Sequence, residues 1–456
     1  MRSMRNSPVN GLSIFVFVLP AFAVAFTSDA LLAQSKAVAA GPVTFAKDVV
    51  PILQQHCQIC HRPDSIAPMS LLTYEDVRPW AKSIKNKVAS REMPPWFIDR
   101  NVGISKFKND ESLTDDEIAT VVQWVDGGAP LGKPADMPPP RTFEPSAKWH
   151  FTPDVIIEMP KSNHVPAQGP DLQTDNLVSM GLTEDRWIQA IEVKPISGYT
   201  GIHHLELYTG PDEETALSHS NFLCEYAVGK GADIYGENSG RLLKAGTYVT
   251  FQLHLHSNGQ EVDARAAVAI KFWPRGFVPK YKYQMVAIGW SDEIDIPPNT
   301  TNVRFDGYSI LNQPTRLLSF QPHMHNRGKA MCVEAIIPQP YGSTDGDPGA
   351  TDPKVQTLNC VDRYRFAWHR NYLYAEDVQP LLPAGTVLHV IGWKDNTAAN
   401  RFNPDPEAWV GVGNRTIDEM NFAWMSMYPL TDEDYRQQVA ERKAQQKRMT
   451  SSDQRP

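Results

Sequence analysis

The feature of this sequence that most constrains its fold is a change of hydrophobic periodicity across a proline-rich segment, residues 132–145. Before this segment, apolar residues recur at the three- and four-residue spacing of helices; after it, apolar and polar residues alternate as in half-buried strands. The chain therefore predicts a small all-α domain followed by an all-β region. The β region before the polar tail, residues 153–432, has about 280 residues, which is enough for two β-sandwiches of ordinary size.

Residues 57–61, with the sequence Cys-Gln-Ile-Cys-His, form the most specific short motif in the helical part. Thiols at the spacing of Cys57 and Cys60 form thioether bonds to one porphyrin, and the adjacent His61 is then held beneath the iron as proximal ligand. A zinc site needs a second Cys/His pair nearby, a thioredoxin-type pair needs a βαβ setting, and a disulfide across two residues is strained. The motif predicts one covalently bound haem c.

Helical flanks surround this motif, and the whole region resembles a small mono-haem cytochrome c. A capping box from Thr114 to Glu117 precedes apolar residues at helical spacing, namely Ile118, Val121, Val122 and Val125. The resemblance implies a methionine as the sixth iron ligand. Met93, in REMPPWF, stands where such cytochromes place it; Met69 is the alternative, and either side chain also suits simple core packing.

The N-terminus has the features of a secretion signal. Arg2 and Arg5 are followed by an apolar run over residues 14–26 and then by small residues, with cleavage expected after Ala33 or Ala40. The run is shorter than the ~20 residues that span a bilayer, and an uncleaved anchor is the alternative. We expect a mature chain in the periplasm, an oxidising compartment, with no stable membrane span after cleavage. The net charge of −8, with no long Lys/Arg run, argues against a nucleic-acid partner.

Three histidine clusters fall in the β region of a chain with only 13 histidines. They are His203 and His204 in GIHHLELY, His254 and His256 in FQLHLHSNG, and His323 and His325 in QPHMHNRG. Residues two apart on a strand lie roughly 7 Å apart on one face, so two such imidazoles can bind one metal ion. The adjacent pair needs a β-bulge, or the use of different ring nitrogens, to share a metal. The spacing predicts a metal site, and chance pairing of surface histidines is the alternative.

The apolar residues of these segments fall on the opposite strand face. Val249, Phe251, Leu253 and Leu255 alternate with His254, and Leu318, Phe320 and Met324 face away from His323 and His325. An apolar face of this kind packs against a sandwich core, which leaves the histidine face outside it. We therefore expect the histidines to project from the sheets rather than to fill the core.

Residues 153–430 resemble the copper type II, ascorbate-dependent monooxygenases, the family of peptidylglycine α-hydroxylating monooxygenase and dopamine β-monooxygenase. IHHLELY, FQLHLHSNG, HMHNRG and RTIDEMNF carry the resemblance, in this order. It implies two jelly-roll-like β-sandwiches, each with one copper, that face each other across a solvent-filled cleft. It does not carry over the substrate-binding residues of the animal enzymes. Leu205 and Leu255 stand where those enzymes have methionine and commonly tyrosine.

The resemblance also implies the two ligand sets. His203, His204 and His254 would hold an electron-accepting copper, and His323, His325 and Met420 would hold the catalytic, oxygen-binding copper. Imidazole suits copper, and a soft thioether favours Cu(I), the oxidation state that reduces dioxygen. His256 stays outside both sets. Cys332 and Cys360 are suited to pair across neighbouring strands, which leaves Cys224 over.

These observations predict a periplasmic copper monooxygenase that hydroxylates a C–H bond of a small organic substrate with dioxygen. Electrons would come from ascorbate or a respiratory donor. Because ascorbate has no assured supply in a bacterial periplasm, the fused haem would pass electrons from such a donor to the copper. The alternative is a non-catalytic haem and copper protein for electron transfer or sensing. The predicted organisation is a signal peptide (1–40), a cytochrome c-like domain (41–135), a proline-rich linker (136–152), two copper monooxygenase sandwiches (153–283 and 284–432) and a polar tail (433–456).

Overall fold

The computed structural model describes residues 41–143 except 64 and 66, and residues 148–227, 230–338 and 354–452. The predicted signal peptide, residues 1–40, lies outside the described residues. Within the described ranges, no helix is both long and apolar enough to cross a lipid bilayer.

Short helices make up the part of the chain before the proline-rich segment. A π-helical turn (Phe45–Val49) leads into α1 (Val50–His56), α2 (Tyr74–Val77), α3 (Ala81–Ala89) and α4 (Asp115–Asp126). The capping box predicted for Thr114 and Glu117 begins α4, because each side chain accepts a hydrogen bond from the other residue's backbone N–H. The apolar face of α4 buries Val121 and also Trp124, which packs against Phe45. These helices share one small hydrophobic core.

The segment between α3 and α4, residues 96–108, leaves the helices and runs along the β region. Trp96, Phe97, Ile98 and Phe107 pack into a core formed mainly by residues after 283. Backbone hydrogen bonds fix the segment there: Asp99 N–H donates to Cys360 at 2.9 Å, and Lys108 N–H donates to Leu373 at 2.8 Å. The helical part and the sheets are therefore held together by packing and hydrogen bonds in addition to the covalent chain.

The first half of the β region contains two sheets. Its elements are β1 (Val155–Glu158), β2 (Asn163–Val165), β3 (Leu172–Ser179), β4 (Arg186–Ser197), β5 (Ile202–Gly210), α5 (Glu213–Leu217), β6 (Phe222–Ala227), β7 (Asp233–Ile234), β8 (Ser239–Leu243), β9 (Tyr248–Leu255), β10 (Val262–Phe272) and β11 (Tyr281–Lys282). One sheet has the order β1-β10-β4-β8-β11, with β2 and β7 at its margins, and the other has the order β3-β9-β5-β6. Buried side chains from both sheets form one hydrophobic core.

The second half repeats this arrangement with different strands. Its elements are β12 (Gln284–Ile288), β13 (Asp295–Ile296), β14 (Thr301–Ile310), β15 (Thr315–Leu317), β16 (Ser319–His323), β17 (Gly328–Ile337), β18 (Lys354–Val361), β19 (Tyr372–Leu373), β20 (Leu381–Leu382), β21 (Val387–Asp395), β22 (Val410–Gly411), β23 (Phe422–Pro429) and α6 (Asp432–Ser452). One sheet has the order β19-β16-β23-β15-β20, with β12 also on β23; the other has the order β14-β21-β17-β18. A disulfide joins Cys332 on β17 to Cys360 on β18. Cys224 on β6 is a buried free thiol.

The predicted β-rich architecture is confirmed. Val249, Phe251, Leu253 and Leu255 are buried in the first core, and Phe320 and Met324 in the second, as the alternation indicated. Leu318, predicted to share the face of Phe320 and Met324, is half-buried and packs against the first core instead. The cytochrome c and jelly-roll assignments, and the domain boundaries, stay predictions.

Candidate metal centre

The first histidine cluster is built on two neighbouring strands of the β3-β9-β5-β6 sheet. His204 on β5 lies directly opposite His254 on β9, and the register shifts between Ile202 and His204, so His203 occupies a bulge. Of the two alternatives for adjacent histidines, the structure has the bulge, and the Nδ1 atoms of His203 and His204 lie 2.9 Å apart. The ring centroids of the three histidines lie 4.9 to 5.2 Å apart.

Burial keeps the imidazoles of His203 and His204 neutral. It lowers the pKa of His203 to about 4 and, with the neighbouring His369 and His203, lowers the pKa of His204 well below its usual range. Neutral imidazoles present lone pairs, which is the protonation state that metal ions require. The cluster can therefore accept a metal at neutral pH without first releasing protons from these two rings.

Asp171 orients the third member of the cluster. Its carboxylate lies 2.8 Å from Nε2 of His254 and 2.8 Å from Nδ1 of His256. The hydrogen bond with His254, followed by that with His256, lowers the pKa of Asp171 to about 2, so the carboxylate stays ionised. Since His254 uses Nε2 here, Nδ1 is its remaining ligand atom; carboxylates commonly fix metal-binding histidines in this way. His256 is 61% exposed and lies outside the cluster.

The second histidine cluster stands at the end of a strand. His323 is the last residue of β16, and His325 follows two positions later, with ring centroids 5.4 Å apart. Both side chains are buried, and burial lowers the pKa of each. Nδ1 of His325 lies 3.1 Å from the Asp418 carbonyl oxygen, so Nε2 is left to bind a ligand. Nδ1 of His323 is buried without a hydrogen-bond partner among the described residues.

Glu419 stabilises the loop that carries His325 through hydrogen bonds to its backbone. Its carboxylate accepts hydrogen bonds from the backbone N–H groups of His325 at 3.0 Å and Arg327 at 2.7 Å. It also forms an ion pair with the Lys394 ammonium at 3.0 Å, and neither side chain is exposed. Lys394 donates a further hydrogen bond to the carbonyl of Met420. The buried Glu419–Lys394 ion pair thus connects the loop of His325 to Met420, the residue predicted to share its metal.

Both clusters open onto one cavity of about 790 Å³. Its lining includes His204 and His254 from the first cluster and His323, His325 and Met420 from the second. Burial and then the nearby Glu225 raise the pKa of Glu206, another lining residue, to about 7. The cavity is large enough for a small organic molecule to contact the walls that carry both clusters.

His369 is a member of this centre that the sequence did not reveal. It is 3% exposed, and its ring centroid lies 5.1 Å from that of His204 and 5.2 Å from that of His323. It follows β18 as a single histidine in FAWHRNY, so no strand spacing marked it. Ligand atoms of His203, His204 and His369 all lie within 4.8 Å of one another.

The predicted haem motif follows α1. Nδ1 of His61 lies 3.2 Å from the Met69 carbonyl oxygen, which fixes the ring and leaves Nε2 for a ligand. Cys57 and Cys60 are free thiols, and burial is the main cause that raises the pKa of Cys57, to about 12. Met93 lines a recess of about 240 Å³ whose lining contains neither haem-motif cysteine nor His61. Met93 as sixth ligand stays a prediction, with Met69 as the alternative.

Comparisons with known proteins do not assign this chain to a family. No protein family matches the sequence, and no curated protein matches it. Solved structures that are similar include PBCV-1 VP54 fitted into the virophage Sputnik (11% identity, 62% of this chain and 95% of that chain, TM-score 0.20). A fucolectin from striped bass, Morone saxatilis, gives 10% identity, 57% and 84% coverage and a TM-score of 0.17. The VP2 subviral particle of infectious bursal disease virus gives 8% identity, coverage of 57% of this chain and 71% of that chain, and a TM-score of 0.18. Likenesses at such low TM-scores carry no argument about this chain.

Proposed function

We propose that this protein is a copper-dependent monooxygenase that hydroxylates a C–H bond of a small organic substrate with dioxygen. The observation that carries the proposal is the convergence of two clusters of buried and half-buried imidazoles on one cavity. Copper bound at the clusters would supply one-electron redox chemistry and the activation of dioxygen. His203, His204 and His254 would hold one copper, and His323, His325 and Met420 the other.

The donor atoms fit copper. The Nδ1 atoms of His203 and His204 lie 2.9 Å apart, a separation at which one metal ion could bind both. The buried Nδ1 of His323 has no hydrogen-bond partner within the described ranges, and a metal ion would satisfy it. Zinc also binds imidazole, but the thioether of Met420 on the same cavity favours Cu(I). The donor set therefore supports a copper pair in preference to two zinc ions.

The protein's own groups would prepare the site for this chemistry. The Asp171 carboxylate orients His254, and the Asp418 carbonyl orients His325, so each ring presents a defined nitrogen to the cavity. Phe422 and Trp424 on the cavity wall bring apolar surface next to the second cluster, where they would limit water around a reacting substrate.

We further propose that a c-type haem on Cys57, Cys60 and His61 feeds electrons to the copper pair. Arg370, which directly follows His369 in the chain, donates a hydrogen bond to the Glu111 carboxylate at 2.7 Å. The backbone carbonyl oxygen of Glu111 lies 3.1 Å from Nδ1 of His56, the residue directly before Cys57. These contacts support a short path from the motif to the metal centre. Ascorbate or a respiratory donor would reduce the haem in the periplasm, after removal of the signal peptide.

Metal analysis and oxygen consumption test this proposal. Full-length protein matured with haem-attachment machinery should contain one iron and two coppers per chain, and Met420→Ile should lose oxygen chemistry while it keeps the copper of the first cluster. The matched variant Met180→Ile, in the first core, should retain both properties. A wild-type protein without copper would overturn the proposal.

A second measurement separates the enzyme from an electron carrier or sensor. The haem is reduced anaerobically, the protein is loaded with Cu(II), and haem reoxidation is followed by absorbance. Oxygen uptake is then measured with a panel of small organic molecules. Haem reoxidation without oxygen uptake for any panel member would favour the non-catalytic alternative.

A further inference from the structure

We infer that His369 is a copper ligand, a fourth imidazole for the metal held by His203, His204 and His254. This inference rests on the proposed function, since it assigns one more residue to the first copper of that centre. Neither the strand spacing nor the family resemblance assigns a role to this histidine.

The position of the His369 ring carries the inference. Its ligand atom lies within 4.8 Å of those of His203 and His204, and its ring stacks against that of His204 with an interplanar angle of 26°. Metal–nitrogen bonds of about 2.0–2.1 Å place two nitrogens of one ion no more than about 4.2 Å apart. A small adjustment of the side chains therefore brings all three nitrogens onto one ion.

The unsatisfied nitrogen of His369 supports the same assignment. Nε2 is buried and has no hydrogen-bond partner among the described residues. A buried polar atom without a partner costs about 1–3 kcal/mol, so proteins rarely keep one without a use. A metal ion in this cluster would satisfy the nitrogen.

The loop that carries His369 is held against both clusters. The Phe366 ring stacks on that of His203 at 5.0 Å and contacts that of His325 at 5.5 Å. On the other side of His369, the Arg370 guanidinium donates to Glu111 at 2.7 Å and lies over the Trp96 ring at 5.6 Å. These contacts fix the backbone on both sides of the histidine, which keeps its ring between His204 and His323.

The place of His369 in the chain indicates what a fourth imidazole would add. His369 comes from the second half of the β region, whereas the other three ligands come from the first. Binding of the first copper through His369 would therefore join the two halves of the metal centre.

The variant His369→Gln in the full-length, haem-loaded protein tests the inference. Copper affinity is measured by competition with a chelator, and the number of nitrogen ligands by electron paramagnetic resonance of the Cu(II) form. We expect affinity at the first site to fall by about 10- to 100-fold or more, because even outer partners of metal ligands have effects of that size. The nitrogen hyperfine pattern should lose one imidazole, while the second site is unchanged. His164→Gln, an exposed histidine paired with Asp263, is the matched control and should change neither quantity.

A second variant keeps the test decisive if the glutamine protein folds poorly. His369→Ala leaves space for a free imidazole, and added imidazole should restore the wild-type resonance pattern. A wild-type protein that binds two coppers, with the same pattern and affinity in both variants, would overturn the role of His369 and leave the proposed function intact. A wild-type protein that binds no copper would overturn both.

Discussion

The two histidine clusters contact the same cavity but are held in place in different ways. In the first cluster, His204 and His254 are cross-strand neighbours inside a sheet, so the backbone ladder itself sets their separation. In the second, His323 ends a strand and His325 lies in a loop that the buried Glu419–Lys394 ion pair fixes. A sheet tolerates the loss of a side-chain contact, because its hydrogen bonds remain. A loop fixed by one buried charge pair does not, so the second cluster should be the more fragile.

The largest effect is expected from Glu419→Gln. This change leaves the Lys394 ammonium buried without its counter-charge, and breaking such a pair costs about 3–5 kcal/mol. The free energy of unfolding, from urea titration, should fall by that amount, and metal analysis should show loss of the second copper alone. Glu407→Gln, at an exposed glutamate in the same half, should change neither. Equal loss of both coppers would contradict the contrast drawn between the clusters.

Acidification should destabilise the metal-free protein. The folded-state pKa values of His203, His204, His323 and His325 all lie below the ordinary value of 6.5, with His203 at about 4. The unfolded chain therefore binds more protons below pH 6.5, and stability that is fully present above this pH is lost as pH falls toward the folded-state values. Each such group contributes about 1.4 kcal/mol per pH unit in that window.

Urea midpoints at pH 7.5, 6.5 and 5.5 measure this dependence. His204→Gln and His323→Gln should each reduce the slope, and the difference between the two variants shows which cluster makes the larger contribution to acid sensitivity. A midpoint that stays constant between pH 6.5 and 5.5 would refute the expectation.

Asp171→Asn should lower the copper affinity of the first cluster by about 10- to 100-fold, because the ring of His254 loses the carboxylate that orients it. The second copper, which Asp171 does not contact, should keep its affinity. Asp175→Asn is the control, since that carboxylate pairs with His219 instead. Chelator competition at neutral pH checks the prediction, and an equal change in both variants would argue against a specific role for Asp171.

The smallest effect is expected from His256→Gln. The exposed His256 supplies only one of the two hydrogen bonds that Asp171 accepts from histidines. The free energy of unfolding should change by less than about 0.5 kcal/mol, as is usual for exposed polar contacts. Copper affinity at the first site should stay within about twofold of wild type. A larger loss would place His256 among the groups that the first cluster needs.

The parts of this site that the sequence predicted are those encoded by residues close together in the chain. Alternation along residues 248–256 correctly placed Phe251 and Leu253 in a core and His254 on the other face. A bulge at His203, one of the two alternatives for adjacent histidines, is also present. By contrast, His369 lies 165 positions after His204 in the chain, and Asp171 lies 32 positions before His203. Each is a single residue without a periodic pattern, so only the tertiary fold brings it to the site.

The same limit applies to the fold. The capping box at Thr114 and the apolar face of α4 follow from local rules, and the structure has both. Residues 96–108 were assigned to the predicted haem domain by their position before α4. Their aromatic side chains instead pack into the second β core, because the partners, such as Tyr372, lie more than 260 residues away.

The packing of residues 96–108 has a consequence for how the molecule can be divided. If the chain were divided in the proline-rich segment and the two fragments separated, Tyr372 and Tyr374 would lose their contacts with the rings of Trp96 and Phe107. The backbone groups that bond to Asp99 and Lys108 would also be exposed. The helical part and the β region are thus held together by packing and hydrogen bonds as well as by the linker. We expect a single cooperative melting transition for both, and a gene fragment that encodes either part alone should yield an aggregation-prone product.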